Sequence, residues 1–278
     1  MGKRIDKAAL DAAMDALNSL FGLDGPKEEI KKIATIWQMC EKRADMGLPT
    51  FPFQNKNMVF LGNPGTGKSL FARHVGEIYR ALGVLSKGHV VECDRSELVA
   101  GYIGQTQAKT QRVIDRAKGG ILFIDGADNL YSGNSHDFGN EALDAIYREI
   151  HDIDVDLAVV LSGCDEAMID FLRANPGFDL RFRSHIRFDD LSPDVLYGIF
   201  ANRLKQYSVG ITAEAEDAAR KHFEFICKNK DRWFGNAREA QIYFEQVFTK
   251  CTKRILDTMG ISGAAAITIT LDDIPEDK

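Results

Sequence analysis

The segment Gly62-Asn63-Pro64-Gly65-Thr66-Gly67-Lys68-Ser69 satisfies G-x-x-x-x-G-K-[ST] at every fixed position, and Leu70 follows it. Residues of these types at this spacing handle phosphate. Glycines let the backbone curl until its N–H groups point inward at phosphate oxygens, and a helix beginning at the lysine adds its positive end. In that arrangement Lys68 reaches the β- and γ-phosphates and the Ser69 hydroxyl ligates Mg2+. A second Mg2+ partner is expected at the end of a neighbouring strand. Ile121-Leu122-Phe123-Ile124-Asp125 offers four apolar residues followed by an acid, which makes Asp125 the candidate metal carboxylate. The ligands implied are ATP or ADP with Mg2+.

Such a loop works only between a strand and a helix, and the surrounding sequence supplies both. Asn57-Met58-Val59-Phe60-Leu61 reads as a buried strand, followed by a helix from Lys68 to Leu82. The alternation continues with strands at 89–92, 121–125, 157–162 and 185–188, and helices at 106–118 and 141–150. Short apolar runs separated by amphipathic segments predict an α/β fold with a five-stranded parallel sheet. Ahead of it, Leu10, Met14, Leu17 and Leu20 recur at helical spacing, and Pro26 opens a second helix. After Leu191-Ser192-Pro193 the period turns helical, apart from a strand-like run at Ile267–Leu271. The expected division is N-terminal helices over residues 1–50, an α/β nucleotide-binding domain over 51–190 and a small helical C-terminal domain over 191–278.

Composition narrows the function classes. The chain of 278 residues carries 35 Lys and Arg against 41 Asp and Glu, a formal charge of −6, which disfavours a general nucleic-acid binder. No apolar run approaches the roughly 18 residues that span a bilayer, and Met1–Asp6 leads into an amphipathic pattern, so no membrane association and a cytoplasmic location are expected. The five cysteines and six histidines are scattered without metal-binding spacings.

Six separate stretches resemble the AAA+ ATPases, and within them the CbbX/CfxQ/SpoVK branch of red-type Rubisco activases, sporulation protein K and the EccA proteins. They are Leu23-Asp24-Gly25-Pro26-Lys27-Glu28-Glu29-Ile30, the phosphate loop, Gly101-Tyr102-Ile103-Gly104-Gln105-Thr106, Gly119–Asp125, Asn175-Pro176-Gly177-Phe178 and Gly235-Asn236-Ala237-Arg238. The resemblance implies a P-loop domain with a helical lid and ATPase activity. It further implies a homo- or hetero-hexameric ring that remodels a protein partner. It assigns adenine contact to the stretch at Leu23 and Asp24, and the sensor-2 role to Arg238. It assigns the finger offered to the next subunit's nucleotide to Arg181, with Arg183 as the competing choice. Tyr102 and Ile103 take the place of the central-pore loop that grips a threaded protein, and two flanking glycines suit a mobile, apolar-tipped hairpin.

The chain departs from that family on the catalytic side. Where the pattern ends Asp-Glu, this sequence reads Asp125-Gly126-Ala127-Asp128, and glycine can neither take a proton nor orient water. Asp128 is the nearest replacement carboxylate, although three residues along a turning backbone it is expected to point elsewhere. Cys164 stands in the polar sensor-1 position and is a weak hydrogen-bond donor. Two readings follow: a motor with weakened hydrolysis, or a nucleotide-gated scaffold that binds ATP without turning it over. A nucleic-acid remodeller is the weaker third.

Overall fold

A computed structural model describes residues 5–49, 56–102, 104–131, 137–152, 154–231, 234–259 and 267–275. They fall into two compact units. One comprises the chain up to Gly62 and Gly67–Phe188; the other comprises Asn63–Thr66 and the chain from Asp189 onward. No helix among the described residues is long and apolar enough to cross a membrane.

The first unit is built on β1 (Met58–Leu61), β2 (Val90–Cys93), β3 (Ile121–Asp125), β4 (Ala158–Gly163) and β5 (Ser184–Arg187), a parallel sheet in the order β2-β3-β4-β1-β5. Successive side chains on a strand point to opposite faces. Met58, Phe60, Ile121 and Phe123 therefore enter one apolar cluster, and Val59, Leu122 and Ile124 enter the other. Because both faces are covered, the strands read as unbroken apolar runs rather than alternating ones. Helices α1 (Lys7–Asn18), α2 (Asp24–Asp45) and α3 (Lys68–Ala81) supply Leu17, Ile30, Phe71 and Val75 to the first cluster. Phe60, Phe71 and Phe188 meet there with ring centroids 4.9–5.9 Å apart. The opposite face takes α4 (Arg95–Leu98), α5 (Thr106–Ala117), α6 (Gly139–Glu149), α7 (Asp165–Ala174) and α8 (Pro176–Asp179), with Val113, Ile146, Phe171 and Phe178 buried against it.

Register fixes what the carboxyl edge of the sheet presents. Asp125 pairs with Ser162, and Gly163 pairs with Leu61, so the ends of β3, β4 and β1 lie side by side. The phosphate loop leaves β1 at this edge, one strand away from Asp125, where ligands of parallel sheets are bound.

The second unit contains α9 (Pro193–Gln206), β6 (Gly210–Ile211), α10 (Ala213–Lys228), α11 (Ala237–Met259) and β7 (Thr268–Ile269). Ser192 and Thr212 cap α9 and α10 through bonds to the amides of Val195 and Ala215. Leu196, Phe200, Phe223, Tyr243 and Val247 form its core. The strand expected over 267–271 is only two residues long. Thr270 and Asp273 form a capping box that turns the chain into a 3-10 helix, and Asp273 also pairs with Arg254 at 2.8 Å.

Candidate nucleotide site

In the sheet unit the site begins at Gly62. Its φ of +144° lies outside the range of ordinary side chains, and a Cβ there would collide with the Phe188 carbonyl. Its amide donates to the Gly163 carbonyl at 3.1 Å. Lys68 is buried and donates through Nζ to the Gly62 carbonyl at 2.6 Å, which holds the ammonium under the start of the loop. Burial pushes this ammonium below the usual lysine range, and Asp125 is the strongest of the charges opposing the shift. Gly67, at φ +93°, opens α3, and the Leu23 side chain approaches to 3.5 Å from where its Cβ would be. Leu23 is itself left-handed at φ 62°. Asp24 is exposed, and Leu70 is 48% exposed.

Asp125 is exposed at the end of β3 and accepts a hydrogen bond from the Ser162 hydroxyl at 3.0 Å. The Ser69 hydroxyl donates to Glu92, which Arg73 also engages at 2.7 Å. Burial raises the Glu92 carboxyl, but these two partners outweigh it and hold the group below the usual range. Hydroxyl and carboxylate oxygens are the hard donors that Mg2+ prefers, so Ser69 and Asp125 fit that ion. No local sequence signal marks Glu92, because its proximity to Ser69 arises only when β2 folds beside α3.

Past Asp125 the chain turns through Gly126 at φ 61° into a 3-10 helix over Ala127–Leu130. This turn places Asp128 beside Gly163 at the end of β4. A Cβ on Gly163 would collide with Asp128 Oδ1, so the carboxylate lies over the end of β4. Burial raises the Asp128 carboxyl above its usual value, and the nearby Asp125 charge adds to the rise. Cys164 is exposed at the N-cap of α7, directly after Gly163.

Arg181 is engaged within its own chain. Its guanidinium donates to the carbonyls of Ile150 and His151 at 3.0 and 2.8 Å, lies 2.8 Å from His151 Nδ1, and stacks 5.7 Å from the Tyr147 ring centroid. Arg183 is exposed. Tyr102 is 74% exposed, and Gly101 and Gly104 beside it face open space; Ile103 lies outside the described residues. The base of this segment is anchored by the Ala100 amide on the buried Thr106 hydroxyl at 3.1 Å. Lys109 donates to the carbonyls of Ser96 and Val99 at 2.6 and 2.9 Å.

The helical unit holds the front of the loop, Asn63–Thr66. Asn63 Nδ2 donates to Asp190 Oδ1 at 2.9 Å, and Asn236 Nδ2 donates to the same oxygen at 3.1 Å and to the Pro64 carbonyl at 3.2 Å. The Ala237 amide donates to the Gly65 carbonyl at 3.1 Å. Gly65, at φ +75°, has no room for a Cβ against the Gly235 carbonyl. The buried Thr66 donates through its hydroxyl to the Asn63 carbonyl at 2.8 Å. Arg238 is exposed in the first turn of α11.

Comparison with known proteins agrees with this architecture. Residues 58–189 match the ATPase family associated with various cellular activities (AAA), and residues 192–278 match an AAA lid domain. The chain is 38% identical over 200 residues to stage V sporulation protein K of Bacillus subtilis (strain 168), a match covering 72% of this chain and 62% of that protein's length. It is 34% identical over 262 residues to protein CbbX of Cereibacter sphaeroides, covering 92% and 82% of the two chains. The crystal structure of the FIGL-1 AAA domain in complex with ADP superposes with a TM-score of 0.59 at 19% identity, covering 92% of this chain and 80% of that one. An AAA-type sheet, its phosphate loop and a lid match over the length of the chain thus converge: this protein belongs to the AAA ATPases, alongside the CbbX, CfxQ and SpoVK proteins.

Proposed function

We propose that this chain is an ATP-dependent remodeller of a protein partner, working in a hexameric ring and turning ATP over slowly. The observation that carries the reading is the edge formed by Lys68, Asp125 and Asp128. A buried ammonium is bonded to the Gly62 carbonyl, an exposed acid ends the next strand but one, and a second carboxylate is folded back over Gly163. Ser69 and Asp125 would hold Mg2+, which would supply charge neutralisation at the terminal phosphates. Lys68 supplies a fixed positive charge at the same phosphates, and the loop amides orient them. Asp128 accepts a proton from the attacking water, a task that Gly126 cannot perform. The displaced position of this carboxylate and the weak donor at Cys164 make the step slow. Tyr102 provides an exposed aromatic grip, and a protein rather than a nucleic acid is the partner because Lys109 is committed to backbone carbonyls and the chain is acidic overall.

Steady-state ATP turnover tests this. Wild-type protein should exceed the Lys68→Ala background, and Asp128→Asn should fall to that background while still binding ATP. Tight binding with no wild-type turnover would favour the second reading, a nucleotide-gated scaffold, which Gly126 at the family's glutamate position supports.

A further inference from the structure

We infer that Asp190 is a positioning residue for the phosphate loop, holding Asn63–Gly65 in their binding conformation through Asn63 and Asn236. The inference rests on the loop's role in binding ATP phosphates.

Three consecutive loop residues, themselves part of the helical unit, are each tied to another residue of that unit. Asn63 is held through its side chain by Asp190 Oδ1, Pro64 through its carbonyl by Asn236 Nδ2, and Gly65 through its carbonyl by the Ala237 amide. Asn236 is wholly buried, left-handed at φ 54°, and also accepts the Leu191 amide on Oδ1 at 2.8 Å. Its side chain is therefore fixed by four groups: Leu191, Pro64, Asp190 and, at 3.5 Å, the Phe234 carbonyl. Asp190 joins the two asparagines on one oxygen and turns the other outward to Lys230 at 2.6 Å. Both of its oxygens are thus occupied.

A glycine-rich loop that must be ordered by its ligand loses conformational freedom at the moment of binding. One that is already ordered does not, and binds more tightly for the same contacts. Asp190 lies outside the phosphate-loop motif, so its effect runs through Asn63 and Asn236 rather than through contact with the nucleotide. Lys230 stands on the far oxygen and is not needed to hold the loop.

The test is the dissociation constant of a fluorescent ATP analogue with Mg2+, measured on the full chain, with thermal melting recorded for each variant. Asp190→Ala and Asn63→Ala should each weaken binding about tenfold, and the double variant should be no worse than Asp190→Ala alone, because that substitution already cuts the tie to Asn63 together with the one to Asn236. Asp190→Asn keeps an acceptor for the two amides and should stay within about threefold of wild type, and Lys230→Ala should match wild type. A purely stabilising role for Asp190 would move the melting temperature without this pattern. Wild-type affinity in Asn63→Ala and Asp190→Ala, or independent losses that multiply in the double variant, would overturn the inference. So would a Lys230→Ala loss equal to that of Asp190→Ala. If Asp190→Ala does not fold, Asn63→Ala and Asp190→Asn carry the decision. Lys68→Ala separates the two levels. Lost binding there with unaffected Asn63→Ala removes the inference alone, whereas retained binding there removes the phosphate-loop reading and the inference with it.

Discussion

The carboxylate of Asp128 occupies the space that a Cβ on Gly163 would fill. The two positions are 35 residues apart in sequence and are brought together by the β3–β4 pairing and the turn at Gly126. The glycine is what lets the acid reach the end of β4.

Substituting Gly163→Ala should therefore imitate Asp128→Asn. The new methyl meets both Asp128 Oδ1 and Met168 Cγ, and crowding of this kind costs about 1–3 kcal/mol. We expect a lower unfolding midpoint in urea and ATP turnover reduced to the Asp128→Asn level. Normal turnover in a folded Gly163→Ala protein would show that Asp128 is not needed where it lies.

Restoring the family glutamate should not help. Gly126 has φ 61°, and any side chain there begins 2.8 Å from Asn129 Nδ2. Left-handed backbone costs a non-glycine residue roughly 1–2 kcal/mol. Gly126→Glu should be less stable by about that amount and no faster in turnover than wild type, since relieving the strain shifts the turn that carries Asp128. Thermal melts and single-turnover rates check both halves, and a faster variant would contradict the assignment.

The two arginines after Asn175 should separate cleanly. Arg181 carries hydrogen bonds that close the C-terminal end of α6, so Arg181→Ala should lower stability by about 1–2 kcal/mol. Arg183 is exposed and should leave the melting temperature unchanged when replaced by Ala. If Arg183 faces the neighbouring nucleotide, its loss should reduce turnover at ring-forming concentrations by tenfold or more. Unchanged turnover would return that role to Arg181, released from His151 on assembly.

Asp190 predicts a pH signature. Burial pulls its carboxyl up, but the bonds from Lys230, Asn63 and Asn236 prevail and hold it below the usual carboxylate range. A folded-state value below the unfolded one means that its stabilisation is complete above the unfolded value, about 3.9, and is lost as pH falls through the folded value. The stability gap between wild type and Asp190→Asn should be constant from neutral pH to about 5 and should close in more acid solution. A gap that widens on acidification would reverse the sign and refute the account.

Much of this was legible in the sequence. The phosphate loop is contiguous, and the strands announce themselves because parallel sheets bury both faces; Asp125 then follows from its place at a strand end. What escaped is what depends on distant pairs. Asn63 and Asp190 are 127 positions apart, and Asp190 and Asn236 are 46 apart, with no local pattern to join them. The place of Asp128 beside Gly163 depends on one left-handed residue and one missing Cβ, which no local pattern displays. The tie between Arg181 and His151 was invisible for the same reason, since a solvated arginine and a bonded one share the same spelling. The C-terminal strand stops short of its alternating pattern because that pattern runs on into a capping box.

The tie between Asn63 and Asp190 also bears on how such chains can be recombined. A hybrid joining the sheet segment of one relative to the helical segment of another would inherit the two ends of that hydrogen bond from different parents. Its phosphate motif would be complete by inspection, yet the partner for position 63 would come from a lineage that need not have kept an acid at position 190. Compatibility between parents should therefore be judged at positions 63, 190 and 236 as a set, and a chimera that folds but binds nucleotide poorly should be repaired there first.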